Sequence, residues 1–166
     1  MNAIVAVDLN WGIGYKGQML DSIPDDMKFF KETTINKVVV MGSETLATLP
    51  NKSPLINRIN IVLTRKEKLS ADIITCNSLE NALIEIKKYD EDDVFIIGGE
   101  SIYKQFLPYC EKSYVTKINN KYKADRYFIN LDNLENWYVS DKSEVNKYNG
   151  VEYCFFTYVN KEVKVF

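Results

Sequence analysis

The chain has 166 residues, of which 46% are hydrophobic, and this predicts one globular domain over residues 1–166 with a core of its own. Its formal net charge of −2 argues against nucleic-acid binding, which needs a basic surface. The sequence contains no histidine, which excludes histidine-based nucleophilic catalysis and histidine-ligated zinc sites.

Short apolar runs alternate with helical patterns along the first two thirds of the chain. The runs are residues 3–7, 37–41, 60–64 and 94–97, each typical of a strand that is covered on both faces. Helices are predicted at residues 24–34, 78–88 and 100–107. Further runs at 114–118, 137–139 and 153–158 have no helices between them. We therefore predict an α/β fold with a mostly parallel central sheet of about eight strands, helices on both faces and an antiparallel C-terminal strand pair.

The segment of residues 10–23 directly follows the first predicted strand. It carries Gly12, Gly14 and Gly17 and shows little periodicity. A long irregular segment inside a compact domain is more often a functional lid than a plain connector. We therefore interpret residues 10–23 as a mobile loop beside a ligand site.

The helix predicted to begin at Pro24 carries two adjacent carboxylates. Asp25 can point outward and complement the positive end of the helix dipole. Asp26 shares a face with Phe30, four residues on, and Met27 flanks that face. Apolar neighbours oppose ionisation unless a ligand supplies hydrogen-bond donors, so Asp26 is a candidate for recognition of a flat, donor-rich heterocycle. From these residues alone, a purely structural role at the start of the helix explains Asp26 equally well.

Two predicted strands are each followed by glycine and then by a helix. Gly98 and Gly99 form one such turn, and Gly42 with Ser43 and Thr45 forms the other. Glycine lets a ligand approach the backbone, and free N–H groups favour a phosphate. Either turn alone is better explained as a tight connection, with Ser43 as an N-cap. Two such turns at the carboxyl ends of strands indicate a nucleotide site more strongly than one does.

The three cysteines, Cys76, Cys110 and Cys154, form no CxxC pair, so we expect small core residues and no metal site. The sequence has no apolar stretch near the ~20 residues of a membrane span, and its start lacks the pattern of a secretory signal. We therefore expect a cytoplasmic protein without a membrane partner, and nothing in the sequence requires more than a monomer.

The order and spacing of these motifs resemble the dihydrofolate reductase family over nearly the whole chain. The similarity is carried by Val5-Ala6-Val7 with Gly12-Ile13-Gly14, Ile23-Pro24-x-Asp26-Met27-x-x-Phe30, Met41-Gly42-x-x-Thr45, Arg58 with residues 60–65, Ile97-Gly98-Gly99-x-x-x-Tyr103, Thr116, Asp125 and residues 153–155. The resemblance implies hydride transfer from NADPH to dihydrofolate. The product, tetrahydrofolate, serves one-carbon metabolism, and enzymes of this family are antifolate targets.

The resemblance also implies a role for each matching residue. Asp26 would be catalytic, holding the pteridine and assisting its protonation, with support from Thr116, and Arg58 would pair with the glutamate tail of the substrate. The other substrate-binding residues would be Val5, Ala6, Met27, Phe30, Leu49, Leu55, Ile97 and Tyr103. In the cofactor site, Met19 would close over the nicotinamide, Gly98, Gly99 and Thr45 would hold the pyrophosphate, and Thr64 and Arg65 would meet the 2′-phosphate. The rest of that site would be Ala6, Ile13, Gly14, Gly42, Ser43, Leu63, Ser101, Ile102 and Tyr103.

The chain departs from the usual family pattern at two places. Leu20-Asp21 stands where family members usually carry Pro-Trp. An inward-pointing Asp21 would raise the pKa of the Asp21–Asp26 pair by repulsion, whereas an outward-pointing one would only make the pocket wetter. Ser43-Glu44 follows Gly42 where an arginine is common, which leaves Arg65 as the main residue that favours NADPH over NADH.

Two alternative functions remain open. One is a related NADPH-dependent reductase that acts on a pyrimidine intermediate of riboflavin synthesis. Arg58 argues against it, because a glutamate tail explains this arginine best. The other is a nucleotide-binding module that has lost catalysis, for which Asp21 and Ser43 are the best support.

Overall fold

The computed structural model describes residues 1–67 and 69–166, in which helices and strands alternate through most of the chain. The strands are β1 (Asn2–Val7), β2 (Gly12–Tyr15), β3 (Gln18–Met19), β4 (Val38–Gly42), β5 (Ile59–Leu63), β6 (Ile73–Cys76), β7 (Val94–Gly98), β8 (Lys112–Ile118), β9 (Arg126–Tyr127), β10 (Trp137–Lys142), β11 (Asn146–Tyr148) and β12 (Val151–Asn160). The helices are α1 (Pro24–Thr34), α2 (Ser43–Thr48), α3 (Leu79–Ile86) and α4 (Glu100–Phe106).

The main sheet has the strand order β10-β12-β8-β1-β7-β4-β5-β6, and β11 pairs with β12. The six strands from β8 to β6 in this order are parallel to one another. Strand β12 is antiparallel to β8, and β10 and β11 are each antiparallel to β12. The predicted α/β fold with a mostly parallel sheet and an antiparallel C-terminal end is therefore confirmed. Strand β8 follows α4 and is parallel to β1, so the antiparallel part begins one strand later than the helix-free runs indicate.

Both faces of this sheet are covered, which explains the continuous apolar runs. Val40 of β4 belongs to the cluster that contains buried residues of α3 and α4. The next residue, Met41, belongs to a second cluster that contains Leu46 of α2. Since successive strand residues point to opposite sides, α3 and α4 lie on one face and α2 lies on the other. Helices on both faces are thus confirmed.

The structure corrects three local predictions. Residues 10–23 are not an irregular loop throughout, because β2 and β3 form a hairpin that also pairs with β9. Ser43 is not an N-cap: α2 begins at Ser43, its N-cap position is Gly42, and no side chain caps it. Strand β6 was not predicted, since its four residues form too short a run to stand out between polar neighbours.

The cysteine prediction is right for two of the three residues. Cys76 and Cys110 are buried, whereas Cys154 is partly exposed on β12. All three are free thiols. Within the part of the chain that the structure describes, no helix is long and apolar enough to cross a membrane.

Candidate active site

The carboxyl ends of adjacent parallel strands bring most of the predicted site residues to one edge of the main sheet. Ala6 of β1 lies opposite Thr116 of β8. Gly98 of β7 lies opposite Met41 of β4, and Gly42 lies opposite Leu63 of β5. Ligands of open α/β sheets bind at this edge, because the loops and helix starts leave a crevice there.

Helix α1 carries Asp26 to the same edge. Ile23, just before the helix, is buried, and the Phe29 ring packs against Phe155 of β12 with a centroid distance of 5.0 Å. The buried Thr116 hydroxyl donates a 2.6 Å hydrogen bond to Asp26 Oδ1. Among the described residues none donates to Asp26 Oδ2, so this oxygen can accept hydrogen bonds from a ligand.

Burial changes the acidity of Asp26. Desolvation raises the pKa of this carboxyl above its ordinary value of 3.8, and the hydrogen bond from Thr116 lowers it in part. The neutral form is therefore favoured more than in an exposed aspartate. A carboxyl group in this environment can both accept hydrogen bonds from a heterocycle and carry a proton closer to neutral pH.

Two aspartates that precede Asp26 in the sequence, Asp25 and Asp21, each accept a hydrogen bond from a tyrosine. Asp25 is exposed, as predicted, yet its Oδ2 accepts a 2.7 Å hydrogen bond from the Tyr153 hydroxyl. Burial, together with this bond, raises the pKa of Tyr153 to about 12. Asp21 accepts hydrogen bonds from the Tyr122 hydroxyl and, at 2.7 Å, from the Ser22 N–H. The Asp21 carboxylate is thus hydrogen-bonded to Tyr122. The pKa of Asp26 is raised by burial and not by repulsion from Asp21.

Arg58 lies at the other end of α1 from Asp26. Its Nε donates to Thr34 Oγ1 at 3.2 Å, and its Nη1 donates to the Ile56 carbonyl at 2.9 Å. Partial burial lowers the pKa of the guanidinium, but arginine stays charged at neutral pH. Along the helix axis, Asp26 and Thr34 are about 12 Å apart. The two polar groups therefore suit an elongated ligand with a heterocycle at one end and an anion at the other.

The apolar residues predicted for the substrate side differ in exposure. Leu49, Leu55 and Ile97 pack together against the cluster of β4, β5 and α2. Val5 is buried, Ala6 and Phe30 are half-buried, and Met27 is 44% exposed. Half-buried and exposed apolar groups beside a buried carboxyl can form the wall of a binding crevice.

The glycine turns form a crowded cradle beside this crevice. Gly98 has φ +119, and a Cβ at this position would lie 3.1 Å from Tyr103 Cε2. A Cβ on Gly42 would lie 3.1 Å from Ile102 Cγ1, and one on Gly99 would lie 3.4 Å from Thr45 Oγ1. The structure therefore brings Gly42, Thr45, Gly98, Gly99, Ile102 and Tyr103 together. Bare backbone next to a hydroxyl suits a pyrophosphate, so the residues present fit the nucleotide that the sequence implies.

Tyr103 contributes its ring to this cradle and not its hydroxyl. The side chain is buried, and the hydroxyl donates a 2.7 Å hydrogen bond to the Ile4 carbonyl of β1. Desolvation raises the pKa of this hydroxyl far above its ordinary value. Tyr103 therefore ties α4 to β1 beneath the crevice.

The remaining predicted cofactor residues lie on α2, α4, β2, β3 and β5 or directly after β5. Arg65 is exposed just beyond β5, and the hydroxyl of the buried Thr64 accepts the Lys66 N–H at 3.2 Å. Ser43 starts α2, and the exposed Ser101 accepts a hydrogen bond from Gln105. Ile13 and Gly14 lie on β2, Leu63 ends β5, and Met19 is 57% exposed on β3.

Asp8 and Tyr122 were not predicted from the sequence, and Tyr153 was part of a motif without an assigned role. The carboxylate of the buried Asp8 accepts backbone N–H groups from Asn10, Gly12 and Tyr122 at 2.8 to 3.0 Å. An aspartate between a buried strand and a glycine-rich segment is a signal that could have indicated this turn. The contacts of Tyr122 and Tyr153 span 101 and 128 residues, and a single sequence carries no signal for them.

Comparison with known proteins gives one consistent result. Residues 1–160 match the family model described as "Dihydrofolate reductase". The chain is 36% identical over 157 residues to a dihydrofolate reductase of Buchnera aphidicola subsp. Acyrthosiphon pisum, covering 93% of this chain and 96% of the relative. It is 34% identical over 161 residues to that of Staphylococcus haemolyticus, covering 95% and 94%. It is 37% identical over 134 residues to that of Haemophilus influenzae, covering 81% of each. Together with the crevice at the strand ends, these matches show that the chain belongs to the dihydrofolate reductase family.

Proposed function

We propose that this chain reduces dihydrofolate to tetrahydrofolate, with NADPH as the cofactor and Asp26 as the group that holds the pteridine ring. The observation that carries the proposal is the Asp26–Thr116 pair, a partly buried carboxyl with a raised pKa between the glycine cradle and Arg58. When NADPH is bound, it supplies the hydride, and the protein positions the two rings and excludes water.

Asp26 acts on the substrate through its Oδ2. This oxygen accepts hydrogen bonds from a ring N–H and the exocyclic amino group, while Thr116 fixes the carboxyl by donating to Oδ1. Because its pKa is raised, the carboxyl takes up a proton more readily than an exposed aspartate does. It can thereby assist protonation of the pteridine.

Arg58 fixes the far end of the substrate. Its guanidinium, anchored on Thr34, presents a planar fork that matches the α-carboxylate of the glutamate tail. The apolar side chains between Asp26 and Arg58 contact the rest of the molecule. These are Val5, Ala6, Met27, Phe30, Leu49, Leu55, Ile97 and the ring of Tyr103.

The glycine cradle holds the cofactor. Gly98, Gly99 and the Thr45 hydroxyl contact the pyrophosphate, and Arg65 with Thr64 meets the 2′-phosphate. Glu100 directly follows Gly99, but its carboxylate already accepts the Tyr127 N–H at 3.0 Å and lies 3.9 Å from Lys104 Nζ. It therefore does not compete with the cofactor phosphates for the groups of the cradle. Arg65, which is exposed just beyond β5, would be the main residue that distinguishes NADPH from NADH, because its guanidinium can pair with the 2′-phosphate.

The same proposal includes the protein's setting. It acts as a cytoplasmic monomer on a small-molecule substrate and does not bind nucleic acid. The net charge of −2 agrees with this, since a nucleic-acid partner calls for a basic surface.

Loss of NADPH absorbance on addition of dihydrofolate to the purified protein tests the proposal, with methotrexate as the competing antifolate. We expect rapid oxidation that methotrexate blocks. NADPH binding without oxidation would contradict it and favour a nucleotide-binding module. Oxidation of NADPH only with a pyrimidine intermediate of riboflavin synthesis would favour the related reductase.

A further inference from the structure

The hairpin of β2 and β3 is anchored to the rest of the protein mainly through β2. Gly12 and Gly14 pair with Tyr127 and Arg126 of β9. Around Gly14, the Asp125 N–H donates to the Gly14 carbonyl at 3.0 Å, and the Lys16 N–H donates to Asp125 Oδ2 at 3.1 Å. The β2 side is thus held by backbone pairing that does not depend on side chains of β3.

The second side of the hairpin, residues 18–22, makes far fewer hydrogen bonds to the rest of the protein than β2 does. Met19 and Gln18 pair only with β2, opposite Gly14 and Tyr15. Across residues 1–67 and 69–166, the Tyr122 hydroxyl is the one side-chain group outside the hairpin that hydrogen-bonds residues 18–22, through Asp21. Burial, aided by Asp21, raises the pKa of this hydroxyl, so it stays a proton donor at neutral pH.

Tyr122 is itself firmly placed. Its N–H donates a 3.0 Å hydrogen bond to Oδ2 of the buried Asp8, directly after β1. Its ring packs against the cluster of Ile23, Ile118 and Tyr153. The Asp21–Tyr122 hydrogen bond therefore connects a weakly held segment to the strand that carries Ala6.

Met19 and Leu20 form a partition between two spaces. On the outside is a cleft of about 400 Å³ that Tyr15, Gln18 and Tyr122 also line. On the inside is a cavity of about 20 Å³ bounded by Ala6, Ile13 and Asp21 as well. The inner cavity has room for about one water molecule. A ring that enters beside Ala6 and Ile13 requires the partition to move, and the outer cleft provides the space.

We propose that the Asp21–Tyr122 hydrogen bond is a latch that holds the Met19–Leu20 partition closed and limits how fast NADPH enters and leaves. Asp21 and Tyr122 are positioning residues in this proposal, because their effect on the cofactor comes through the position of Met19 and Leu20. This inference rests on the proposed function, because Ala6, Ile13 and Met19 are assigned to the cofactor there. A hydrogen bond to a carboxylate is strong enough that its loss changes an opening equilibrium by about tenfold.

The test begins with Tyr122→Phe, which removes the hydroxyl and keeps the ring. In the protein without cofactor, we expect amide hydrogen exchange in residues 18–22 to become about tenfold faster, with Gly12, whose N–H donates to Asp8, unchanged. In stopped-flow binding, the association and dissociation rate constants of NADPH should both rise. Tyr15→Phe removes a hydroxyl from the same cleft without touching Asp21, and it should leave both quantities at wild-type values.

Variants of Asp21 separate a latch from a general structural role. Asp21→Ala removes the bond from Tyr122 and also the bond from the Ser22 N–H, so it should open the segment at least as much as Tyr122→Phe does. The double variant should be no faster than Asp21→Ala, because the bond between Asp21 and Tyr122 is already absent there. Asp21→Asn keeps a carbonyl acceptor and should give values between those of wild type and Asp21→Ala. Wild-type exchange or wild-type NADPH association in Tyr122→Phe would overturn the latch. Because exchange is measured without ligand, that result stands apart from any failure of the reductase assay.

Discussion

At the scale of single residues, Asp26 combines a function with a cost to stability. Its carboxyl is desolvated, which raises its pKa, and among residues 1–67 and 69–166 Thr116 alone compensates with a side-chain hydrogen bond. A ligand that donates to Oδ2 would relieve this cost. Groups whose surroundings disfavour their charged form are often found at functional sites, which is why this aspartate and not Asp25 is assigned to the chemistry.

Asp26→Asn tests this assignment by activity. Asparagine retains an oxygen that accepts from Thr116 but cannot supply a proton, so turnover at neutral pH should fall by about 10²-fold or more. NADPH affinity should be unchanged, because the cradle of Gly98 and Gly99 does not involve Asp26. Steady-state kinetics and cofactor titration measure both. Asp25→Asn is the matched control, and near-normal turnover in Asp26→Asn would remove Asp26 from the mechanism.

The same variant makes a prediction about stability. The folded-state pKa of Asp26 lies above the unfolded value, so the native state binds more protons in the window above pH 3.8. The contribution of Asp26 to the free energy of unfolding therefore falls as pH rises through that window. Asp26→Asn lacks this loss and should unfold at a higher temperature than wild type at pH 7, with the difference closing as the pH approaches 3.8. A lower midpoint at pH 7 would contradict the role of burial.

At the scale of elements, the turn from β7 to α4 illustrates why glycine is required at one position. Gly98 has φ +119, and a Cβ there would lie 3.1 Å from the Tyr103 ring, whose hydroxyl is bonded to Ile4. Gly98→Ala should lower the free energy of unfolding by about 1–3 kcal/mol from backbone strain. It should lower it further by displacing the Tyr103 ring.

Gly150→Ala is the matched control for this change. Gly150 also has a positive φ, +78, but apart from its two chain neighbours no described residue has an atom within 4 Å of where its Cβ would be. It should therefore show the cost of strain without the contact, and NADPH affinity should fall only in Gly98→Ala. Denaturant unfolding and cofactor titration give the comparison. Equal losses of stability in the two variants would mean that the Tyr103 contact is unimportant.

The elements also show what the sequence could predict. Strands β1, β4, β5 and β7 are continuous apolar runs because both faces of the sheet are covered, and such runs are recognisable without a structure. The hairpin of β2 and β3 was missed because its third strand, β9, lies more than a hundred residues away in the sequence. Parallel topology made it possible to expect Thr45 and Gly98 at one edge, whereas Asp26 was assigned to the site through the family resemblance. The partner of Asp21 could not be inferred, since neither Asp21 nor Tyr122 is part of a local pattern.

At the scale of the whole molecule, the proposed cofactor site joins parts of the chain that are distant in sequence. The cradle depends on β4 and β7, and Thr64 and Arg65 directly follow β5 of the same sheet, so the site exists only when that sheet is formed. NADPH should consequently stabilise the protein as a unit. At a free concentration of 100 times its dissociation constant, the free energy of unfolding should rise by about 2.7 kcal/mol. A second transition that NADPH does not shift would show that part of the chain unfolds independently of the site.

Comparing the stabilisation by NADPH with that by NADH then tests which residue recognises the 2′-phosphate. At equal concentration, NADPH should raise the unfolding midpoint more than NADH does, because only NADPH carries a 2′-phosphate that can pair with the exposed Arg65. Arg65→Ala should narrow that difference and leave the shift caused by NADH unchanged. Lys66→Ala removes a cation one residue further along the same turn and should leave the difference as in wild type. If both variants narrow it equally, the phosphate is recognised by the general charge of the turn, whereas an effect of Arg65→Ala alone assigns it to the guanidinium.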